Sequence, residues 1–235
     1  MKKYFITLSF VGFLLAIILF YPDNGAEVNA TPIAPVDDIC EANTHLVNFN
    51  FDEGCGTLIR DSSGFGNHGR ALNTNWTTDS RSGFALEFNT FGNDSYVDLR
   101  GYNLLTTPTQ VSVEMWIKRS QISQNNFPEN ETLVDKYPEF LILIQTDNTV
   151  EALVRDSRLR PNNWINLTSN TVLNANTWYK IKFVRGENVF QLYINDMLES
   201  TTPNSFPIPT NFSVTPDVKV GGFNGIIDDF KMTGY

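Results

Sequence analysis

Between Val111 and Lys118 apolar and polar residues alternate without a slip. Val111, Val113, Met115 and Ile117 fall on one side, and Ser112, Glu114, Trp116 and Lys118 on the other. A period of two is the signature of a strand with one face in a core, and no amphipathic helix tolerates it. The same alternation recurs in Leu46-Val-Asn-Phe-Asn-Phe51, Phe84-Ala-Leu-Glu-Phe88 and Tyr96-Val-Asp-Leu99. Phe140 to Gln145 is a continuous apolar run, which predicts a central strand. Val150 to Arg155 follows it after the turn pair Asp147-Asn148. Tyr179–Arg185 and Val189–Asn195 flank Gly186-Glu187-Asn188 and predict a hairpin, and Ile226–Met232 closes the series. No stretch of eleven residues carries a convincing helical period. The chain is therefore predicted to be all-β, a two-sheet antiparallel sandwich.

The segment before this domain reads differently. Lys2 and Lys3 precede an uncharged run from Tyr4 to Tyr21, and Val28-Asn29-Ala30 supplies small residues where a signal peptidase cuts. Residues 1–30 are expected to be a secretory signal, or an uncleaved anchor, because the apolar run approaches the ~18 residues of a span. Either way the remainder lies outside the membrane, and the membrane is a partner only for the uncleaved form. Residues 31–45 read as a linker and 46–235 as one domain. The expected location is secreted, extracellular or periplasmic.

Charge limits the partners. Lys plus Arg is 17 and Asp plus Glu 26, a formal −9. Loss of residues 1–30 removes two bases and two acids, so the exported domain keeps −9. Nucleic acid is excluded as a partner, since phosphate recognition needs a basic face. Five Asn-x-Ser/Thr sequons stand at Asn75, Asn93, Asn130, Asn166 and Asn211, relevant in a host that glycosylates exported chains.

Phe49-Asn-Phe-Asp-Glu-Gly-Cys-Gly-Thr57 and Asp61-Ser-Ser-Gly-Phe-Gly-Asn-His-Gly69 resemble the opening of laminin-G-like jelly-roll domains. Phe84-Ala-Leu-Glu-Phe88, Ser112-Val-Glu-Met-Trp-Ile117, Thr177-Trp-Tyr-Lys180, Phe190-Gln-Leu-Tyr-Ile-Asn195 and Phe223-Asn-Gly-Ile-Ile-Asp-Asp-Phe230 follow in the same order. The ordered set is similar to the concanavalin A-like lectin/glucanase superfamily. The resemblance implies an exported binding module with glycan as its ligand. An extracellular protein partner in adhesion is the second reading, and a glycoside hydrolase the third. Hydrolysis needs two carboxylates roughly 5.5 Å or 6.5–9.5 Å apart. Only Glu129-Asn130-Glu131 has a same-face spacing for this, in a Pro- and Asn-rich stretch that reads as loop. No catalytic residue is assigned.

Candidate sites follow from residue chemistry. Trp116 and Trp178 stand where the resembled family has Trp for packing. Trp164, in Arg160-Pro-Asn-Asn-Trp-Ile-Asn166, stands among polar residues and is the one Trp expected to face solvent. With Tyr137, Asn162 and Asn163 it forms the predicted ligand site, an aromatic platform with amide partners. Asp228 shares parity with Phe230 and Met232, so it is expected to turn inward, where a buried carboxylate needs a partner. Structural Ca²⁺ held by Asp52, Asp61 and Asp228 is one such partner, and backbone N–H groups are the other. His68 has no catalytic companion and is expected to be a structural hydrogen-bonding group. Cys40 and Cys55 enclose fourteen residues. A bridge there would contribute roughly 3 kcal/mol, but the extended run 45–52, about 23 Å long, makes it taut, so both the bridge and two free thiols stay open.

Overall fold

The computed structural model describes residues 44–88, 94–99, 110–120, 130–137, 139–155, 164–203 and 218–234. All of these lie in the second of the two units into which the chain divides, Cys40–Tyr235. No helix occurs among the described residues. The strands are β1 Thr44–Phe49, β2 Leu58–Ile59, β3 Gly69–Leu72, β4 Thr74–Thr77, β5 Ala85–Phe88, β6 Tyr96–Asp98, β7 Val111–Arg119 and β8 Glu131–Lys136. They continue as β9 Phe140–Ile144, β10 Thr149–Arg155, β11 Trp164–Val172, β12 Trp178–Arg185, β13 Val189–Ile194, β14 Met197–Pro203, β15 Lys219–Gly221 and β16 Gly225–Gly234.

Two antiparallel eight-stranded sheets form the sandwich. The first runs β14-β13-β12-β7-β16-β5-β4, with β1 also on β16; the second runs β11-β10-β9-β8-β15-β6-β3-β2. The predicted alternation sets the inner faces. Val111, Val113, Met115 and Ile117 of β7 are fully buried, as are Ile181 and Phe183 of β12. Phenylalanines carry much of the contact between sheets: Phe140 of β9 meets Phe183 of β12 with ring centroids 5.4 Å apart. Within the first sheet, Phe49 of β1 meets its cross-strand partner Phe230 of β16 at 5.9 Å. Each such side chain contributes roughly 1.5–3 kcal/mol by leaving water.

β16 changes partner along its length. Gly225, Ile226 and Ile227 pair with β5, whereas Phe230–Gly234 pair with β1. β1 and β5 thus lie end to end along one side of β16, as expected for first and last strands. In the gap the register slips between Asp228 and Lys231, and Asp229 adopts φ 52°. This β-bulge sets an extra residue on β16, which reverses the inside–outside parity.

The sandwich is clipped on its other side. β11 and β14 are the edge strands of the two sheets. Glu199 of β14 accepts from the backbone N–H groups of Asn170 (2.8 Å) and Thr171 (3.0 Å) and from the Thr171 hydroxyl (2.7 Å) of β11. Burial pushes this carboxyl up, but the three donors outweigh it and hold it below the usual range. Its stabilisation is present above the ordinary carboxylate pKa and is lost as pH falls through the folded value. Glu199→Ala is expected to cost about 1–2 kcal/mol, measured by urea unfolding at pH 7, with the deficit shrinking at pH 3.

Candidate functional site

Tyr137 and Trp164 are far apart in sequence, yet their ring centroids lie 6.2 Å apart with planes inclined by 40°. Tyr137 sits in the turn between β8 and β9, where its N–H donates to Asp135 Oδ1 (2.9 Å), and its side chain is 63% exposed. Trp164 opens β11 opposite Arg155 of β10. Arg155 N–H donates to the Glu139 carbonyl at 3.0 Å, which ties the end of β10 to the same turn. The turn is anchored from below. Glu139 pairs with Lys136 of β8 (3.0 Å) and with Arg185 of β12 (3.2 Å), all three nearly buried. Burial lowers the Arg185 pKa, and the Glu139 carboxylate offsets part of that.

The aromatic pair stands at one end of the outer face of the second sheet. Beyond Trp164, β11 alternates cleanly: Asn166, Thr168 and Asn170 are exposed while Leu167 and Ser169 are buried. Cross-strand partners share a face, so one transverse row reads Asn166, Leu153, Leu141, Asp135 and Lys219. In the next row Glu151, mostly buried, accepts from Asn166 Nδ2 at 2.9 Å. The floor is thus aliphatic, the rim carries amide and hydroxyl groups, and one end is aromatic. Such a mixture suits a ligand with apolar C–H faces and many hydroxyls.

The sequence therefore selected two of these residues and missed others. Asn162 and Asn163 lie outside the described residues. In the sequence Asn166 stands out only as a sequon beside Trp164 and Arg155 only as the end of a strand, and neither these nor Thr168 is marked as a site residue. The remaining tryptophans are half-buried, as is Trp164. Trp76 donates to the Gly56 carbonyl at 2.9 Å, Arg81 lies 4.3 Å over the Trp116 ring, and Lys118 lies 6.0 Å over Trp178.

The carboxylates named for calcium occupy two places. Asp61 organises the turn after β2: its oxygens accept from Asn48 N, Ser63 N, Ser63 Oγ and Asn67 N at 2.7–2.9 Å. Burial raises its pKa, but these bonds together hold it below the usual value. His68 Nδ1 accepts from Asp61 N–H at 3.0 Å, the expected structural role. Asp228 does not turn inward. Its cross-strand partner is Trp116, an outward residue of β7, because the bulge at Asp229 reverses the parity that Phe230 and Met232 suggest. It is nevertheless fully buried, beneath the loop before β5, where it accepts from Arg81 N (2.7 Å), Ser82 N (3.4 Å) and Asp229 N (2.9 Å). Asp52 meets the same loop, accepting from Phe84 N at 3.1 Å. Gly83 (φ 60°) is required there, since a Cβ would collide with Asp52 Oδ1.

Burial pushes the Asp228 pKa up to about 6, the Arg81 N–H lowers it, and the Asp229 charge raises it further. Asp229 is itself raised, by burial and then by Asp52. The set does not fit calcium as arranged. Asp61 and Asp228 direct their oxygens at N–H and O–H donors, where a cation requires oxygens turned towards it. Among the described residues no group of three or more His, Cys, Asp or Glu is placed to hold a metal ion. Of the two cysteines, Cys55 is exposed and Cys40 lies outside the described residues. Glu131, the described half of the carboxylate pair, opens β8, ion-pairs with the buried Arg119 and accepts from Asn224 N at 3.3 Å. Glu129 lies outside the described residues.

Comparison with solved structures places the fold. Domain 4 of AbnA, a GH43 extracellular arabinanase from Geobacillus stearothermophilus solved with arabinotriose, superposes with a TM-score of 0.60 at 18% identity, covering 82% of this chain and 93% of that one. The botulinum neurotoxin serotype D binding domain gives 0.62 at 15% identity over 80% of this chain and 48% of that one. The botulinum neurotoxin DC binding domain in complex with SialylT gives 0.63 at 16%, over 80% and 47%. The chain therefore spans about half the length of the toxin domains. No curated protein matches it in sequence. A laminin G family model, described as Concanavalin A-like lectin/glucanases superfamily, matches residues 91–235. That match spans more than half of the 235 residues, and the chain belongs to the laminin-G-like branch of the concanavalin A-like lectin/glucanase superfamily.

Proposed function

We propose that the domain is an exported, non-catalytic module that binds glycan on the outer face of its second sheet, against Tyr137 and Trp164. The pairing of these two rings beside the exposed Asn166 and Thr168 carries the reading. Sugar rings stack their C–H faces on aromatic side chains while their hydroxyls hydrogen-bond to amides and hydroxyls nearby. The arabinotriose bound to arabinanase domain 4, a neighbour in fold over nearly all its length, supports a saccharide on this architecture. A binding rather than hydrolytic role is supported by the engagement of the carboxylates. Glu131 is tied to Arg119, Glu114 to Lys180 and Lys182, and Asp228 to backbone N–H groups. Export rests on the segment from Lys2 to Ala30.

A second reading is adhesion through protein. It draws on the exposed Val172, Met197 and Leu198 on β11 and β14.

A broad glycan array tests the first reading. Trp164→Ala is expected to weaken any glycan bound by the wild type roughly thirtyfold, the ~2 kcal/mol of a central aromatic anchor. Circular dichroism should stay unchanged. An array without wild-type binding, or full binding by the Trp164→Ala protein, overturns the proposal.

A further inference from the structure

We infer that the Tyr137–Trp164 site takes a carboxylate-bearing saccharide, with Arg155 holding the carboxylate. This rests on the glycan reading above and specifies the class of sugar. Arg155 is the direct cross-strand partner of Trp164, so their Cβ atoms lie within about 5.5 Å and on the same face. Its neighbour Val154 points into the core with 2% exposure, while Arg155 is half-buried on the outside. Its backbone N–H is held by Glu139 O, so the position of the residue is fixed by the turn that carries Tyr137. The aromatic platform and the cation are therefore built on one frame.

A guanidinium presents a planar fork that matches a carboxylate in two parallel hydrogen bonds, and it remains charged at all working pH. A sugar stacked on the rings with a carboxylate at its edge meets both groups at once. Two acids on this face, Glu151 and Asp135, have partners of their own. Glu151 lies four residues back along β10, about 13 Å away, and accepts from Asn166. Asp135 accepts from the Tyr137 N–H. The net charge of the chain is −9. That overall negative charge does not forbid an acidic ligand, because the Debye length at physiological salt is about 8 Å and the fork acts at contact.

The test uses oligogalacturonate and hyaluronan fragments, each beside its carboxyl-reduced neutral counterpart, titrated into the domain at about 150 mM salt. The wild type is expected to bind the acid form of a bound pair at least tenfold more tightly. Arg155→Gln should bring that ratio close to one. Arg155→Lys should leave an intermediate ratio, since charge survives and the fork does not. Trp164→Ala should weaken both forms. Equal wild-type affinity for both forms, or a preference that survives Arg155→Gln, overturns the carboxylate assignment and leaves the glycan reading standing. So does an array on which the wild type binds neutral glycans alone. Absence of all glycan binding overturns both readings.

Discussion

Glu139→Ala is expected to cost about 3–5 kcal/mol of folding stability, a large part of the ~5–15 kcal/mol of a typical domain. The carboxylate is shared by Lys136 of the second sheet and Arg185 of the first, at 3.0 and 3.2 Å. The three side chains are 4%, 7% and 2% exposed for Lys136, Glu139 and Arg185. Removal of the acid leaves two cations facing each other away from water, and neither can be rehydrated without opening the sandwich. Glu139→Gln keeps the shape but not the charge, so most of the loss should remain. Replacing all three by Leu or Met should recover most of it, because a packed apolar cluster substitutes well for a buried ion network. Chemical denaturation of the three variants decides this. A loss below about 1 kcal/mol in Glu139→Ala would show that the cluster is hydrated or compensated. The same turn carries Tyr137, so the affinity for any ligand held against Tyr137 and Trp164 should fall even in the fraction that stays folded.

That cluster shows where the sequence is a poor guide. Strands with an unbroken alternation, such as β7, β12 and β13, are legible because every second residue is buried and, save for the terminal Arg119 and Arg185, apolar. β8 and β11 are not. β8 opens with Glu131, which reads as loop because a charge signals solvent, yet Arg119 on the first sheet neutralises it. β11 is an edge strand whose inner face holds only Ile165 and Leu167 before Ser169, and that serine is buried through a hydrogen bond from Val150 N at 2.9 Å. Polarity masked the period. The bulge at Asp229 is invisible for another reason: strict alternation assumes that no residue is inserted, so one extra residue sends Asp228 to the opposite face.

The site follows the same division. Tyr137 and Trp164 stand out because a large aromatic among Asn, Pro and Arg has no core to enter. Their partners do not, since Arg155, Asn166 and Thr168 acquire a common face only once β11 is paired to β10. The spacing Ile165, Leu167, Ser169 was the available signal. The proximity of Asp52 to the Asp228 bulge was legible from the pairing of first and last strands. The role was less so: the 78–84 loop supplies N–H donors, and no sequence pattern announces a loop folded over a sheet face.

Asp228 gives the second large effect, and its sign is unusual for a carboxylate. Its pKa in the folded protein is about 6 against an ordinary 3.8, chiefly because the loop shuts water out. Between those values the folded state binds more protons than the unfolded state, so stability falls as pH rises through the window. The difference amounts to about 3 kcal/mol. It is fully in place below pH 4 and absent above pH 6. Asp61 and Glu199, both held below their usual values, work in the opposite direction under acid conditions. The wild-type profile alone therefore mixes the contributions, and the informative quantity is the difference from Asp228→Asn, which cannot ionise. The Asn amide still accepts from Arg81 and Ser82 but sets its NH₂ against Asp229 N–H, a cost that does not change with pH. Relative to the wild type, Asp228→Asn should gain about 3 kcal/mol between pH 4 and pH 7, read from urea unfolding at each pH. A difference that is flat across this range would mean that water reaches the carboxylate and that the loop does not close over it.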